Sequence, residues 1–427
     1  MSKIMLESLS IHNFKSFYKS EFKFGKLNCL IAPNNSGKSN LIDALKFLND
    51  LIYHNPAKAI AKIGFKNIKN FHYDENEINL NAKFKIENRV LVGDELIDYD
   101  ITLLFLYKLD FKLKKPNIDI WIDGKVKSII VDKADLKEGF GLRVLGSYEE
   151  YINNYDFYVK KIEKKNYRSF HFDYNHIALM YNISETRLDT TKEIVKKLLG
   201  LDISKVDDEL QTPLDFRFIF NKSSLFASHY FHAHDIKRPE ISGLNDLLEN
   251  GKNLVEYLDG LDKDVLEDIS TSLIGEVELI NSIEIKEDMV SKLVFKEEVN
   301  GKITDVDIGV VSDGTVHFIA IMSALIGNKH SIGMMIEEPE RHMHMKVLST
   351  ILNTMRDDDK QIFFTTHSTE ILQQLELEEI LFMFRDYNGD TQGQRAKDIP
   401  NIKKIMKLFK GDLVEMIHTG VLGEYDE

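Results

Sequence analysis

The sequence has one cysteine, Cys29, and no apolar run long enough to span a membrane. A single cysteine excludes a disulfide framework within one chain, which is typical of a reducing compartment. A spanning helix needs about 18 consecutive apolar residues, and the N-terminal segment has no apolar stretch typical of a secretory signal. We therefore expect a cytoplasmic protein with no membrane association. Cys29 itself is expected to be a small buried hydrophobic residue.

The sequence also lacks an excess of basic residues. Its 427 residues carry a formal net charge of −14, with 43% hydrophobic and 29% charged residues. This is an ordinary globular composition, at a length that predicts two or three domains or subdomains. Any DNA or RNA contact would need a local basic patch. Sustained heptads, internal repeats and low-complexity tracts are absent as well, which argues against a long coiled coil or a repeat architecture.

The most informative stretch is residues 27–50, LNCLIAPNNSGKSNLIDALKFLND. An apolar run over residues 27–32 predicts a buried strand, and residues 41–48 have the apolar spacing of a helix. Between them lie a polar turn and Gly37-Lys38-Ser39. Strand, turn, Gly-Lys-Ser and helix form the setting of a phosphate-binding P-loop. Lys38 would reach the outer phosphates, and the Ser39 hydroxyl would bind magnesium.

Strand patterns surround this stretch. Residues 4–24 alternate as two antiparallel strands, and residues 78–86 and 99–107 predict two more, which together would form an antiparallel side sheet. We interpret Lys15, at the bend of the first pair, as a solvated lysine rather than a nucleotide ligand. The middle of the chain mixes basic clusters, aromatic residues and acidic residues. A structured insertion with a solvated surface is favoured there over a nucleic-acid surface, which stays the alternative.

Two further apolar strands end in polar residues that carry chemistry. Residues 332–336 lead into Glu337-Glu338, and residues 361–366 lead into His367. Ligands of open α/β sheets bind outside the carboxyl ends of the strands. If these strands are neighbours of the P-loop strand, their ends share one crevice and supply the parts for nucleotide hydrolysis. Two carboxylates directly after a buried strand are costly without a cation, which favours a functional interpretation.

Other candidates have plain structural interpretations. His367 alone would be a capping or structural histidine. The Ser312-Asp313-Gly314-Thr315 segment alone predicts a turn and an N-cap. His342 and His344 lie two residues apart, which does not place them on one helical face, and with no cysteine nearby a zinc site is disfavoured.

Taken in order, the segments APNNSGKSN, VVSDGTVHFIAIMSAL, MMIEEPERHMH and FFTTHST resemble the ABC-type ATPase heads of the SMC, RecF and OLD group. The sequence is most similar to small single-chain ATPases of the AAA_21 and AAA_15 type. The resemblance covers residues 1–107 and 230–427. It implies an α/β fold, an ABC-type P-loop ATPase head with a mixed sheet, an antiparallel side sheet and an inserted middle subdomain. The implied domains are an N-terminal ATPase lobe (1–107), an insertion (108–229) and a C-terminal ATPase lobe (230–427).

The resemblance also implies roles for individual residues around ATP and Mg2+. Ser39 and Glu337 would hold the magnesium ion, Glu338 would polarise the attacking water, and His367 would be the switch histidine near the γ-phosphate. Glu340 and His342 fall where the group crosses its dimer interface. The residues expected to bind nucleotide are those of the Walker A loop and of the signature loop, which touches the nucleotide of a second subunit: Asn34, Asn35, Ser36, Gly37, Lys38, Ser39, Asn40, Ser312, Asp313 and Gly314.

The sequence departs from the pattern of the group at three points. Ala32 replaces the first glycine of the P-loop, which we expect to be tolerated if its φ is negative. The signature loop is VSDGT rather than LSGGQ. No glutamine precedes Gln211, so the usual Q-loop glutamine is missing from the first lobe, and His72 and Asn76 are alternative substitutes.

The resemblance implies an ATPase that dimerises head to tail, or forms a higher homo-oligomer, around composite ATP sites. Its expected use is to sense or regulate a separate effector, a nuclease or toxin, in bacterial anti-phage defence, because the residues after His367 are too few for the Toprim nuclease domain of the OLD enzymes. One alternative is a RecF- or SMC-like ATPase that acts on DNA in repair or recombination. The other is a nucleotide-gated scaffold that binds ATP without hydrolysing it.

Overall fold

The computed structural model describes residues 3–33, 36–53, 59, 62–64, 67–70, 72–73, 75, 77–92, 95–110, 117–128, 139–147, 162–164, 167–170, 224–277, 279–286, 291–402, 404 and 407. The strands in chain order are β1 Lys3–His12, β2 Ser20–Lys23, β3 Leu27–Ile31, β4 Glu77–Val92, β5 Glu95–Asp110, β6 Asn117–Ser128, β7 Gly139–Ser147, β8 Ile162–Lys164, β9 Tyr167–Phe170, β10 Ser224–His229, β11 Ile280–Lys286, β12 Lys292–Val299, β13 Lys302–Asp307, β14 Ser331–Glu337, β15 Gln361–Thr365, β16 Ile380–Arg385 and β17 Thr391–Arg395. The helices are α1 Lys38–Tyr53, α2 Ala233–Ile236, α3 Leu254–Asp259, α4 Lys263–Leu273, α5 Asp313–Gly327, α6 Met345–Asp357 and α7 Thr369–Leu372.

The chain forms two compact units, each built from several segments. The first comprises Met1–Gly25, Ala32–Leu225 and Met383–Gln394. The second comprises Lys26–Ile31, Phe226–Phe382 and Arg395–Glu427. The lobe boundaries inferred from sequence, at residues 107 and 229, stay a prediction. The sequence over residues 401–409 and 411–413 predicts a pair of helices, which lies largely outside the described residues.

The first unit contains an eight-stranded sheet in the order β2-β1-β4-β5-β6-β7-β9-β8. The pairs β1–β2, β1–β4 and β4–β5 are antiparallel, so the antiparallel side sheet expected from the sequence is confirmed. The sheet is larger than expected, because β6 and β7 from the middle of the chain continue it in antiparallel register.

Helix α1 buries the apolar side predicted from its spacing. Leu41, Ala44, Leu45 and Leu48 are fully buried in the first unit, which anchors the helix that follows the P-loop. The interpretation of Lys15 as a solvated lysine is wrong. Its ammonium pairs with the Asp43 carboxylate on α1 and its side chain is 19% exposed, so it ties the β1–β2 bend to the helix.

In the second unit, parallel strands form the centre of a mixed sheet in the order β10-β14-β15-β3-β16, with β17 next to β16. Strands β14 and β15, β15 and β3, and β3 and β16 are parallel pairs. Every residue of β3 and β15 is buried, Cys29 included. Short continuous apolar strands of this kind suit a parallel sheet that is covered on both faces.

The rest of the second unit packs around α5, which is apolar over most of its length and buried from Thr315 to Leu325. Strands β11, β12 and β13 form a separate antiparallel sheet. Asn300 and Gly301 form the turn between β12 and β13, and both have positive φ, 52° and 74°, as the tight turns of hairpins require. In the described part of the chain, no helix is both long and apolar enough to cross a membrane.

Candidate functional site

The P-loop occupies the turn that follows β3, as the sequence predicts. Ala32 is buried and is not among the residues with positive φ, so the substitution of the first glycine causes no backbone strain. Gly37 has a φ of +94°, a conformation that glycine adopts without steric cost. The Lys38 ammonium donates to the Ala32 carbonyl at 2.7 Å, so the side chain lies back along its own loop. Asn34 and Asn35 lie outside the described residues.

Two residues that the sequence did not single out support the end of this loop. A Cβ on Gly37 would lie 2.5 Å from Thr391 Oγ1 and 3.0 Å from Ser16 Oγ, so space as well as backbone requires glycine. Ser16 Oγ accepts from Asn40 Nδ2 at 2.7 Å and from Thr391 Oγ1 at 2.9 Å. Asn40, predicted to bind nucleotide, therefore also holds the first turn of α1 to the Ser16 hydroxyl.

The first turn of α1 has the properties of an anion site. Ser36 is buried, whereas Ser39 is exposed, and the first turn contains no acidic side chain. Backbone N–H groups and the helix dipole favour negative charge at this end. The Ser39 hydroxyl and the Glu337 carboxylate are each oxygen donors of the kind that magnesium prefers. Their role as magnesium ligands stays a prediction.

The carboxyl ends of three parallel strands meet at one edge of the second unit's sheet. Glu337 is paired in register with Thr365, and Thr365 with Leu30 of β3. Glu338 and His367 follow directly after β14 and after Thr366, and the P-loop follows directly after β3. The condition for a shared crevice, that these strands are neighbours, is therefore met. Their catalytic and ligand roles stay predictions.

Glu338 is held in an unusual backbone conformation. Its φ is 47°, in the left-handed region, which costs about 1 kcal/mol for a residue with a Cβ. Its N–H donates to the Thr365 carbonyl at 3.1 Å and to Thr365 Oγ1 at 3.2 Å. Its Oε2 accepts from Arg341 Nε at 2.7 Å. This bond raises the pKa of Arg341 above the usual value of a guanidinium.

Glu340 connects the turn after β14 to the segment after β15. Its Oε1 accepts from Thr366 Oγ1 and from the His367 N–H, both at 2.9 Å. Its Oε2 is buried, with no hydrogen-bond partner in the described part of the chain. The His367 side chain is exposed, while its backbone is fixed by this carboxylate. Glu340 thus positions the segment that carries the predicted switch histidine.

The signature loop, residues 312–314, begins α5. Ser312 is the N-cap, and its hydroxyl accepts from the Thr315 N–H at 3.2 Å, so the cap predicted from the sequence is confirmed. The exposed Asp313 pairs with Lys237 at 2.6 Å, and this bond lowers the pKa of its carboxyl group. A Cβ on Gly314 would lie 2.3 Å from the His342 carbonyl oxygen. The loop lines an open cavity of about 920 Å3 together with residues 342–344.

A buried histidine on α5 contacts the turn after β14. His317 Nδ1 lies 2.8 Å from the Arg341 carbonyl oxygen, which can only accept, so Nδ1 carries the proton. Its Nε2 is buried with no hydrogen-bond partner among the described residues. Burial lowers the pKa of His317 to about 4, so the ring is neutral at pH 7. This residue could not be identified from the sequence, because an isolated histidine on an apolar helix gives no functional signal.

The question of the missing glutamine stays open. His72 is exposed, and its backbone N–H donates to Asn70 Oδ1 at 2.9 Å. Asn76 lies outside the described residues.

Two family models match the chain. One, "AAA domain, putative AbiEii toxin, Type IV TA system", matches residues 182–373, and another, "AAA domain", matches residues 8–89. Among curated proteins, the chain is similar to structural maintenance of chromosomes protein 1B from Homo sapiens, with 28% identity over 183 residues that make up 37% of this chain and 14% of that protein. An ATP/GTP phosphatase from Helicobacter pylori is 31% identical over 144 residues, which are 28% of this chain and 39% of the relative. The DNA replication and repair protein RecF from Porphyromonas gingivalis is 47% identical over 47 residues, 11% of this chain and 13% of that protein. The matched regions thus span well under two thirds of each relative.

The chain is also similar to two solved structures of SMC heads. The SMC head domain from Thermotoga maritima aligns with a TM-score of 0.39 and 14% identity over 91% of this chain and 98% of that one. An SMC head bound to the C-winged helix domain of ScpA aligns with a TM-score of 0.44 and 14% identity over 91% and 97% of the two chains.

By these sequence relationships, the chain is similar to the SMC/RecF-like ABC-type ATPases.

Proposed function

We propose that this protein binds and hydrolyses ATP, with Glu338 as the residue that polarises the attacking water. The observation that carries the proposal is the order of three parallel strands. Strands β14, β15 and β3 are neighbours. Strand β14 ends in Glu337 and is followed by Glu338, while His367 follows β15 and the P-loop follows β3. Phosphoryl transfer is catalysed mainly by positioning of the reactants and by stabilisation of charge. Two carboxylates, a histidine and a P-loop are groups that can position the reactants and stabilise that charge.

Each residue has a chemical role in this proposal. Lys38 and the backbone N–H groups at the start of α1 bind the phosphates. Ser39 and Glu337 are the proposed ligands of magnesium, which neutralises phosphate charge when bound. Glu338 accepts a hydrogen bond from the water, and His367 lies beside the outermost phosphate. ATP and Mg2+ are thus the proposed substrate and cofactor.

We further propose that a second copy of the chain completes each site. The signature loop is exposed, it begins a helix whose dipole favours anions, and it lines an open cavity. A loop of this kind suits the phosphates of a nucleotide held by another subunit. ATP would then hold a head-to-tail dimer closed, and hydrolysis would reopen it.

Turnover and association of three variants test the enzymatic proposal. Lys38→Ala removes the phosphate-binding ammonium, so we expect loss of ATP binding. Glu338→Gln keeps the shape but removes the carboxylate, so we expect ATP-bound dimers with turnover at least about 100-fold lower. Lys263→Ala, at an exposed lysine that begins α4, is the control and should behave as wild type.

Unchanged turnover in Lys38→Ala and Glu338→Gln would contradict this mechanism. Tight ATP binding without turnover by the wild-type chain would instead support a nucleotide-gated scaffold.

The biological role proposed is that of a cytoplasmic sensor or regulator of a separate effector protein, a nuclease or toxin, in anti-phage defence. The match of residues 182–373 to a model described by a toxin of a type IV TA system supports this role. A nuclease or toxin gene beside the gene for this chain is the expected finding. Neighbouring replication genes, together with a salt-dependent DNA shift by the purified protein, would contradict it and favour an ATPase of DNA repair.

A further inference from the structure

Arg341 contacts the proposed catalytic carboxylate. Its Nε donates to Glu338 Oε2 at 2.7 Å, and both side chains are 31% exposed. Only one carboxylate oxygen is used, and Glu338 Oε1 has no hydrogen-bond partner in the part of the chain that the structure describes. A guanidinium can bind both oxygens of a carboxylate in parallel. The observed geometry instead fixes one oxygen and leaves the other available.

Arg341 is itself held on two sides. Its guanidinium carbon lies 4.7 Å from the centre of the Tyr230 ring, within the range of a cation–π contact. Its backbone carbonyl accepts from the buried His317. An arginine side chain loses much conformational entropy when it is held in one orientation. The stacking on Tyr230 offsets part of this cost and favours a single orientation of Arg341.

The turn does not depend on the guanidinium. The Glu338 N–H donates to Thr365, the Arg341 N–H donates to the Glu338 carbonyl at 3.2 Å, and the Met343 N–H donates to the Glu340 carbonyl at 3.1 Å. These backbone bonds remain when the Arg341 side chain is removed. Loss of that side chain should therefore change the orientation of the carboxylate rather than the fold.

We propose that Arg341, stacked on Tyr230, is a positioning residue that fixes the Glu338 carboxylate so that Oε1 faces the attacking water. This inference rests on the proposed ATPase function. Nothing in the sequence around residue 341 indicates it, because Tyr230 lies far away along the chain. A freely rotating carboxylate would spend most of its time in unproductive orientations, and this lowers kcat without weakening ATP binding.

Steady-state kinetics of ATP hydrolysis test the proposal with five variants. Arg341→Ala should lower kcat about 10-fold and change KM less than about two-fold. Arg341→Lys keeps the charge and should recover part of the lost kcat. Tyr230→Phe keeps the ring face and should lower kcat less than Tyr230→Ala, which should lower it about three-fold. Adding Arg341→Ala to Glu338→Gln should cause no further loss, because Arg341 acts through that carboxylate.

The outcomes separate this inference from the proposed function. If the wild type does not hydrolyse ATP, or if Glu338→Gln retains full turnover, both the proposed ATPase function and the role of Arg341 are contradicted. If these two behave as proposed while Arg341→Ala keeps the wild-type kcat, or loses activity equally in the Glu338→Gln background, only the role of Arg341 is overturned. Thermal unfolding of each variant reports whether any loss of kcat comes from unfolding.

Discussion

At the scale of single residues, glycines mark where the backbone of the proposed site is crowded. Gly37 is required by its φ and by the side chains of Ser16 and Thr391, and Gly314 by the His342 carbonyl. Ala32, in contrast, occupies a position where glycine is not required, because its φ is not positive. The departure from the P-loop pattern at Ala32 is therefore minor.

We predict that Gly314→Ala destabilises the protein by about 1–3 kcal/mol, the usual cost of forcing extra atoms into a packed site. The reason is the distance of 2.3 Å between the added Cβ and the His342 carbonyl oxygen. Denaturant unfolding measures the change. Gly260→Ala is the matched control, because an added Cβ there meets its nearest atoms at an ordinary 3.6 Å. Equal stability of the two variants would contradict the close contact.

At the scale of secondary structure elements, the sequence predicted most of the strands and helices that carry the proposed site residues. The apolar run over residues 27–32 before a polar turn predicted β3, and apolar spacing predicted α1. Residue types at the strand ends suggested a shared crevice only if β14, β15 and β3 were neighbours, and the strand pairing shows that they are. Periodicity could not reveal the contact of Ser16 with Thr391, which are 375 residues apart, or that of Arg341 with Tyr230. Such contacts depend on how elements pack, and no local pattern in the sequence encodes them.

Helix α5 carries a titratable group that we predict makes stability depend on pH. His317 has a pKa of about 4 in the folded protein and about 6.5 when unfolded. The unfolded state therefore binds more protons between these values. Stability is unaffected by this group above pH 6.5, falls as the pH drops below 6.5, and reaches its full loss below pH 4. From pH 7 to pH 5 the loss should be about 2 kcal/mol.

His317→Asn tests this pH dependence, since its amide can donate to the Arg341 carbonyl in place of Nδ1 and does not titrate. The difference in unfolding free energy between pH 7 and pH 5 should be smaller in this variant by about 2 kcal/mol. An identical pH dependence in both proteins would show that His317 is protonated without cost in the folded state.

At the scale of the whole molecule, the chain builds two compact units from alternating segments. The chain enters the second unit to form β3 and returns to the first for the P-loop and α1. The signature loop and the strand-end carboxylates belong to the second unit. The N-terminal and C-terminal lobes that the resemblance implies, at residues 1–107 and 230–427, differ from these units and stay a prediction. Much of the middle segment carries no comparable signal, and a large part of it lies outside the described residues.

The central claim, that two copies share each ATP site, is tested most directly by mixing two inactive variants. Lys38→Ala disables the P-loop. Ser312→Asp retains an N-cap, because aspartate caps helices as well as serine does, but it places a negative charge where phosphate is proposed to bind. A mixed dimer has one site with both parts intact. An equal mixture should therefore recover about a quarter of wild-type ATP turnover, since half of the dimers are mixed and each has one working site. Turnover no higher than that of the two variants measured separately would contradict the account.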